Sequence, residues 1–232
     1  RQLRSVSGLR DYFCDSSDRI FAMLNRDKLA QAYYEVRHSV DDEECEADRN
    51  LWVIDGRSSR YVLVSNHLDE GDENQSPIAE NVFSTETLPA DIIRVETQYT
   101  FDDKIRIIGY RVADENGDFM SQAGSGDTIV VETFFEVMAR PERSFKMFIH
   151  IDHRNQRING DHDVVDGIYP LNYWVPGEIV RDRFEMEIDR ASTAGDYDIN
   201  IGFFSGDSRM RVRPPMGDNR ITLGRFRITG GL

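Results

Sequence analysis

From about Ile92 onward the chain alternates apolar and polar residues with a period of two. The segments IIRVETQYTF, KIRIIGYRV, TIVVETFFEVM, SFKMFIHIDH, EIVRDRFEMEI, DYDINIGFFS and ITLGRFRIT each read as a strand. In the second of them Ile105, Ile107 and Gly109 oppose Arg106, Ile108 and Tyr110; in the fifth Phe184, Met186 and Ile188 oppose Glu185 and Glu187. Turn signals separate the runs at Asn116-Gly117-Asp118, Gly124-Ser125-Gly126-Asp127, Pro176-Gly177 and Gly195-Asp196. No segment with the period of a helix interrupts them. Residues 91–232 are therefore expected to form an antiparallel two-sheet β-sandwich.

The pattern upstream differs. DRIFAMLN is strand-like in length, and in RDKLAQAYYEVRHSV the residues Leu29, Ala32, Tyr33 and Val36 recur at helical spacing behind Asp27 as the expected N-cap. After the acidic stretch DDEECEAD at 41–48, NLWVIDGRSSRYVLVSNHL reads as two strands around an Asp55-Gly56 turn. Residues 1–90 are thus expected to be a small α/β unit of order β-α-β-β. Its last part, 69–90, is a polar connector holding Pro77 and Pro89. The fold class expected is mainly β, a sandwich preceded by this unit.

Composition narrows the functions. A net charge of −14, spread over both halves of the 232 residues, repels phosphate backbones and anionic lipid, which argues against nucleic acid as a partner. Hydrophobic residues make up 39%, with 13 Phe and 9 Tyr, enough for a core. No apolar run approaches the ~18 residues of a membrane span, and RQLRSVSGLRDYF lacks the apolar centre of a signal peptide. Because the sequence begins at Arg1, it reads as a piece whose anchor or address lies elsewhere. The two cysteines, Cys14 and Cys45, are too few for a disulfide scaffold and have no zinc spacing; in an oxidising compartment they are expected to pair, closing a loop worth roughly 3 kcal/mol.

Two stretches carry a resemblance. GDTIVVETFFEVM followed by FKMFIHIDHRNQRINGDHDVVDGIYPLNYWVPGEIVRDRFEMEI, and GDYDINIGFFSGDSRMRV, resemble a β-sandwich module at the soluble C-terminal end of bacterial polyprenyl-phosphate-sugar-dependent membrane glycosyltransferases, enzymes related to protein O-mannosyltransferases. The matching positions are His150, Asp152, Asp161, His162, Tyr169, Pro170, Trp174, Pro176, Gly177 and Glu178. Catalytic carboxylates of such enzymes sit between membrane helices that this chain lacks, so no catalytic residue carries over. The resemblance implies a non-catalytic accessory domain on the extracytoplasmic (periplasmic) side. Its partner would be the membrane-embedded part of the same polypeptide, and it would position a glycan, glycosyl acceptor or other partner. A carbohydrate-binding module and a glycan-directed hydrolase are the alternatives.

The richest chemistry lies between His150 and Asp166. His150 and Asp152 share one strand face, with His153 on the other. Asn159, Asp161, Asp163 and Asp166 form an oxygen-rich loop that could hold Ca2+, although Val164 stands where an EF-hand needs glycine. The alternative is that these side chains cap turns, with no cofactor. Tyr169, Tyr173 and Trp174 are either a stacking platform for sugar rings or rigid anchors of a long loop. Arg209, Arg211 and Arg213, on one strand face, either pair with acids or bind an anion. No G-x-S-x-G elbow, G-x-G-x-x-G loop or P-loop is present.

Overall fold

The computed structural model describes residues 6–14, 18–37 and 51–230. Its elements are α1 (Ser7–Cys14), β1 (Phe21–Asn25), α2 (Leu29–Arg37), β2 (Trp52–Asp55), β3 (Tyr61–Ser65), β4 (Val82–Phe83), β5 (Ile93–Arg94), β6 (Thr100–Phe101), β7 (Ile105–Ala113), β8 (Gln122–Gly124) and β9 (Thr128–Val137). They continue with β10 (Lys146–His153), β11 (Gln156–Asn159), β12 (His162–Asp163), β13 (Ile179–Glu187), β14 (Gly195–Ser205), β15 (Ser208–Arg209), β16 (Val212–Arg213) and β17 (Ile221–Thr229).

The expected sandwich is there. Its first sheet runs β16-β6-β7-β9-β13-β4, with β5 also on β7; its second runs β11-β10-β14-β17-β8, with β12 on β10 and β15 on β14. The pairs are antiparallel except β17 with β8. Period two sets the inward residues. Ile129, Val131, Phe135 and Val137 of β9 face Met147, Ile149 and Ile151 of β10 and Tyr197, Ile199, Ile201 and Phe203 of β14 in one apolar cluster. Phe203 packs on Phe101 and Phe135 at 4.8 and 5.2 Å between ring centres. The alternation expected for β7 breaks at Ile108: a bulge between Ile107 and Gly109 turns Tyr110 and Val112 inward. A Cβ on Gly109 would sit 3.0 Å from the Ile93 carbonyl, so glycine lets β5 close on the bulge.

The N-terminal unit adds a three-stranded sheet, β1-β3-β2, to α2. Leu29, Ala32, Tyr33 and Val36 are buried as their spacing predicts, and they join Val53, Val62 and Val64 in the same core as the sandwich. Two local expectations are corrected. Asp27 is not the cap: it lies in a 3-10 turn, Arg26–Lys28, that feeds into α2. A short helix, α1, precedes the expected order and buries Leu9 and Phe13. Cys14 closes α1; Cys45 and the acidic stretch 41–48 lie outside the described residues.

The polar connector does more than bridge. Residues 82–83 become β4 on β13, and Phe83 and Leu88 pack with Ile92, Phe134 and Ile179 over the outer face of the first sheet. Beside this patch Glu132, 3% exposed, is held by Arg111 at 2.7 Å and Arg181 at 3.3 Å. Arg181 in turn donates to the Glu80 carbonyl and the Asn81 side chain, tying the connector down.

Candidate functional site

Polar side chains from the loops gather in three places, which differ in how completely they satisfy one another. The first is the joint between α2 and the loop leading to β13. Glu178, 6% exposed, accepts hydrogen bonds from the hydroxyls of Tyr33 (3.0 Å) and Tyr169 (2.9 Å) and pairs with Arg37 at 3.1 Å. Burial raises its pKa, against the pull of Arg37 and the two hydroxyls; burial and the Glu178 charge likewise raise both tyrosines. Trp174 donates its indole N–H to the Tyr169 carbonyl at 2.9 Å, and Arg140 lies over Tyr34 and Tyr173. Tyr169 and Trp174 are fully buried. Burial thus makes Tyr169 and Trp174 anchors of the loop and leaves them no open ring face, whereas Tyr173 is partly exposed and packs on Tyr34 of α2.

The second place is a buried histidine–carboxylate pair. Asp182 lies on the inward side of β13 with Phe184 and Met186 and is 0% exposed. It bonds His162 Nε2 at 2.8 Å and accepts the Val165 N–H at 2.7 Å. His162 stacks on Phe184 at 3.9 Å, and its Nδ1 lies 2.8 Å from the Gly160 carbonyl. Burial pushes the His162 pKa down, but the Asp182 bond and charge outweigh it and the net shift is upward. The N–H that Asp182 accepts belongs to a residue in a left-handed backbone conformation, Val165 at φ 50°, which a β-branched side chain adopts only under constraint; Asp166 follows at φ 52°.

The four oxygen-bearing residues weighed as a calcium loop or as turn caps have different partners. Asn159 pairs across from His150 at the end of β11; Asp161 is 3.4 Å from His150 Nε2; Asp163 pairs with Lys146 at 3.3 Å; Asp166 is exposed in the turn before Gly167. Among the described residues no group of three or more His, Cys, Asp or Glu is placed to share a metal ion. Asn159-Gly160, a dipeptide favoured in tight hairpin turns, does not make one here. The turn falls at 154–155, where Arg154 has φ 49°, and QRIN returns as β11. Gly160 exchanges two backbone hydrogen bonds with Ile149, and a Cβ there would come within 2.9 Å of Met186.

The third place is open. On the outer face of the second sheet a pocket of about 450 Å3 lies between β10, β11, the β14–β15 turn and residues 218–220. His150 and Arg157 form one side, Asp207 and Arg209 another, and Asp218, Asn219 and Arg220 the third. Asp152, on the same strand face as His150, ties it together. Its carboxylate accepts from Arg157 at 2.6 Å, from Arg220 at 3.2 Å and from the Asn200 amide at 3.1 Å. Phe148 lies beneath with His150 stacked on it at 4.5 Å; a Cβ on Gly202 would strike the Phe148 ring at 2.5 Å, so only glycine lets β14 pass. Burial, with the charge of Arg157, lowers the His150 pKa. Sequence reading singled out His150 and Arg209 but not Arg157, Asp207, Asp218 or Arg220. These come from three separate segments, and only the fold brings them together.

No protein-family model matches the chain, and no curated protein does. Among solved structures, the C-terminal domain of Wzt is similar with a TM-score of 0.42 and 12% identity, over 62% of this chain and 81% of that one. So distant a likeness carries neither ligand nor role across. Among the described residues no helix is long and apolar enough to cross a membrane.

Proposed function

We propose that this chain is a non-catalytic accessory module that binds glycan, a β-sandwich of a membrane glycosyltransferase held on the extracytoplasmic side, where it positions an acceptor. The observation that supports this most is the pocket on the second sheet, lined by planar polar groups of both signs, two of which, His150 and Arg209, rest on the buried Phe148 ring. Sugar hydroxyls present donors and acceptors together, and such mixed linings satisfy both. The hydrolase alternative needs a carboxylic acid of raised pKa facing a cleft. The buried acid with that property, Glu178, is consumed by Tyr33, Tyr169 and Arg37 at the joint, away from the pocket.

Titration of isotope-labelled protein with a panel of neutral and acidic oligosaccharides tests the binding claim. Amide signals of Ile149–Ile151, Arg209 and Arg220 should shift for at least one of them, with no release of reducing ends. If no saccharide moves those signals, the glycan reading is wrong; turnover would reinstate the hydrolase. The membrane parent is tested separately: the natural gene should encode several apolar runs of ~20 residues in the same polypeptide, and their absence removes that part.

A further inference from the structure

The pocket contradicts the charge of the molecule around it. In a chain of net charge −14, three of its seven lining residues are arginines. They are not equivalent. Arg157 spends Nε and Nη2 on Asp152, so that pair is internally neutral. Arg220 gives Asp152 a single hydrogen bond, from Nη1. Arg209 has no carboxylate partner among the described residues, yet it is fixed in place: its Nη1 donates to the Asp218 carbonyl at 2.6 Å and its guanidinium lies 4.9 Å from the centre of the Phe148 ring. A guanidinium held by a carbonyl and an aromatic face keeps its full charge and most of its donors. Its orientation is set before any ligand arrives. The carboxylates of Asp207 and Asp218 likewise make no hydrogen bond or ion pair among the described residues, although both line the same space.

Resting on the reading that this pocket binds glycan, we propose that its ligand is an acidic saccharide. A sugar carboxylate or phosphate sits on Arg209 and Arg220, and neighbouring hydroxyls donate to Asp207 and Asp218. Unspent donors of charge +1 select an anion. Unspent carboxylates in the same pocket repel a bare anion and reward one that carries hydroxyls beside its charge. Neither a neutral sugar nor inorganic phosphate uses both halves.

The full chain would be titrated, by the same amide shifts, with methyl glucuronide, glucose 6-phosphate, methyl glucoside and inorganic phosphate. One or both acidic sugars should bind at least about tenfold more tightly than the glucoside, the scale of one charge-assisted hydrogen bond; the one that does identifies the anion. Arg209→Ala and Arg220→Gln should each erase that preference. Asp207→Asn should weaken the acidic sugars while tightening inorganic phosphate. Arg225→Ala, on the same face but paired with Asp198 outside the pocket, should change nothing and controls for folding. Equal affinity for glucoside and acidic sugars overturns the inference and leaves the glycan reading standing. Inorganic phosphate binding as well as glucose 6-phosphate also overturns it, since the site then reads charge alone. Failure of every sugar removes both.

Discussion

The two outer faces of the sandwich come from strands with the same alternating pattern, yet one is covered and the other open. On the first sheet Phe134 and Glu132 point outward and are almost wholly buried, because residues 80–92 fold back over them. On the second sheet Asp198 and Arg225 point outward into solvent, and His150 and Asp152 border a pocket. Under the connector, Glu132 meets two arginines and one of these continues to the connector backbone, so its polar groups are mutually satisfied. In the pocket Arg209 and Asp207 are left with capacity. Polar clusters of similar composition thus divide into those that hold the fold together and one able to receive a ligand.

Large apolar truncations should show the contrast most strongly. Phe134→Ala, on the covered outer face, and Trp174→Ala, in the loop beneath α2, should each cost about 3–5 kcal/mol in urea unfolding, the range for emptying a buried aromatic site. If Phe134→Ala costs no more than an exposed substitution, the connector does not seal that face. Next comes Glu132→Gln, which leaves Arg111 and Arg181 with a neutral partner; it should cost about 2–3 kcal/mol, with the unfolding midpoint as the readout.

The two perturbed histidines should then give opposite pH signatures of smaller size. His162, raised from the ordinary 6.5, contributes stability that is fully present below its unfolded pKa and is lost as pH rises through its folded value. His150, lowered, destabilises the fold as pH falls from its unfolded value toward its folded one. Unfolding midpoints of His162→Gln and His150→Gln across this range should change slope in opposite directions; slopes of the same sign would mean that one environment is misread. The smallest effect belongs to Asp163→Ala. Its pair with Lys146 is exposed, so the cost should stay below about 0.5 kcal/mol. A chelator should leave the melting temperature of the parent and the variant unchanged. A large drop with EDTA that calcium reverses would restore the metal loop.

Much of the architecture was legible because period two is a direct physical consequence of a sheet with one buried face. Phe184, Met186 and Ile188 show it plainly, and so do the helical residues Leu29 to Val36. Where reading failed, a tertiary contact had outvoted a local signal. The bulge at Ile108 reversed a clean alternation, and Asn159-Gly160, a dipeptide favoured in tight turns, instead lets the backbone pass close to Met186. Within 69–90, polarity concealed a strand and two apolar contacts, because Phe83 and Leu88 are isolated in sequence and meet their partners only on the sheet. The aromatic loop was legible as chemistry but not as location: YP and W-x-PG suit both a sugar platform and a buried anchor, and burial makes Tyr169 and Trp174 anchors. The pocket was the least legible. Arg157, Asp207, Asp218 and Arg220 carry no motif, and their spacing follows from strand order.

The place of β17 sets a schedule. It is made after every other strand described, yet it lies inside the second sheet, between β14 and β8. Until residues 221–229 leave the ribosome, β14 pairs on one side only, with β10, and its other edge from Gly195 to Ile201 is open to mispairing. Sheets that wait for such distant partners close in milliseconds to seconds. Arg220 precedes β17 directly, so the pocket gains its last wall only at the moment the sheet closes. A copy in which β17 has not docked would lack the wall that Arg220 supplies and the sheet that supports it, so binding at the pocket would report that the second sheet has closed.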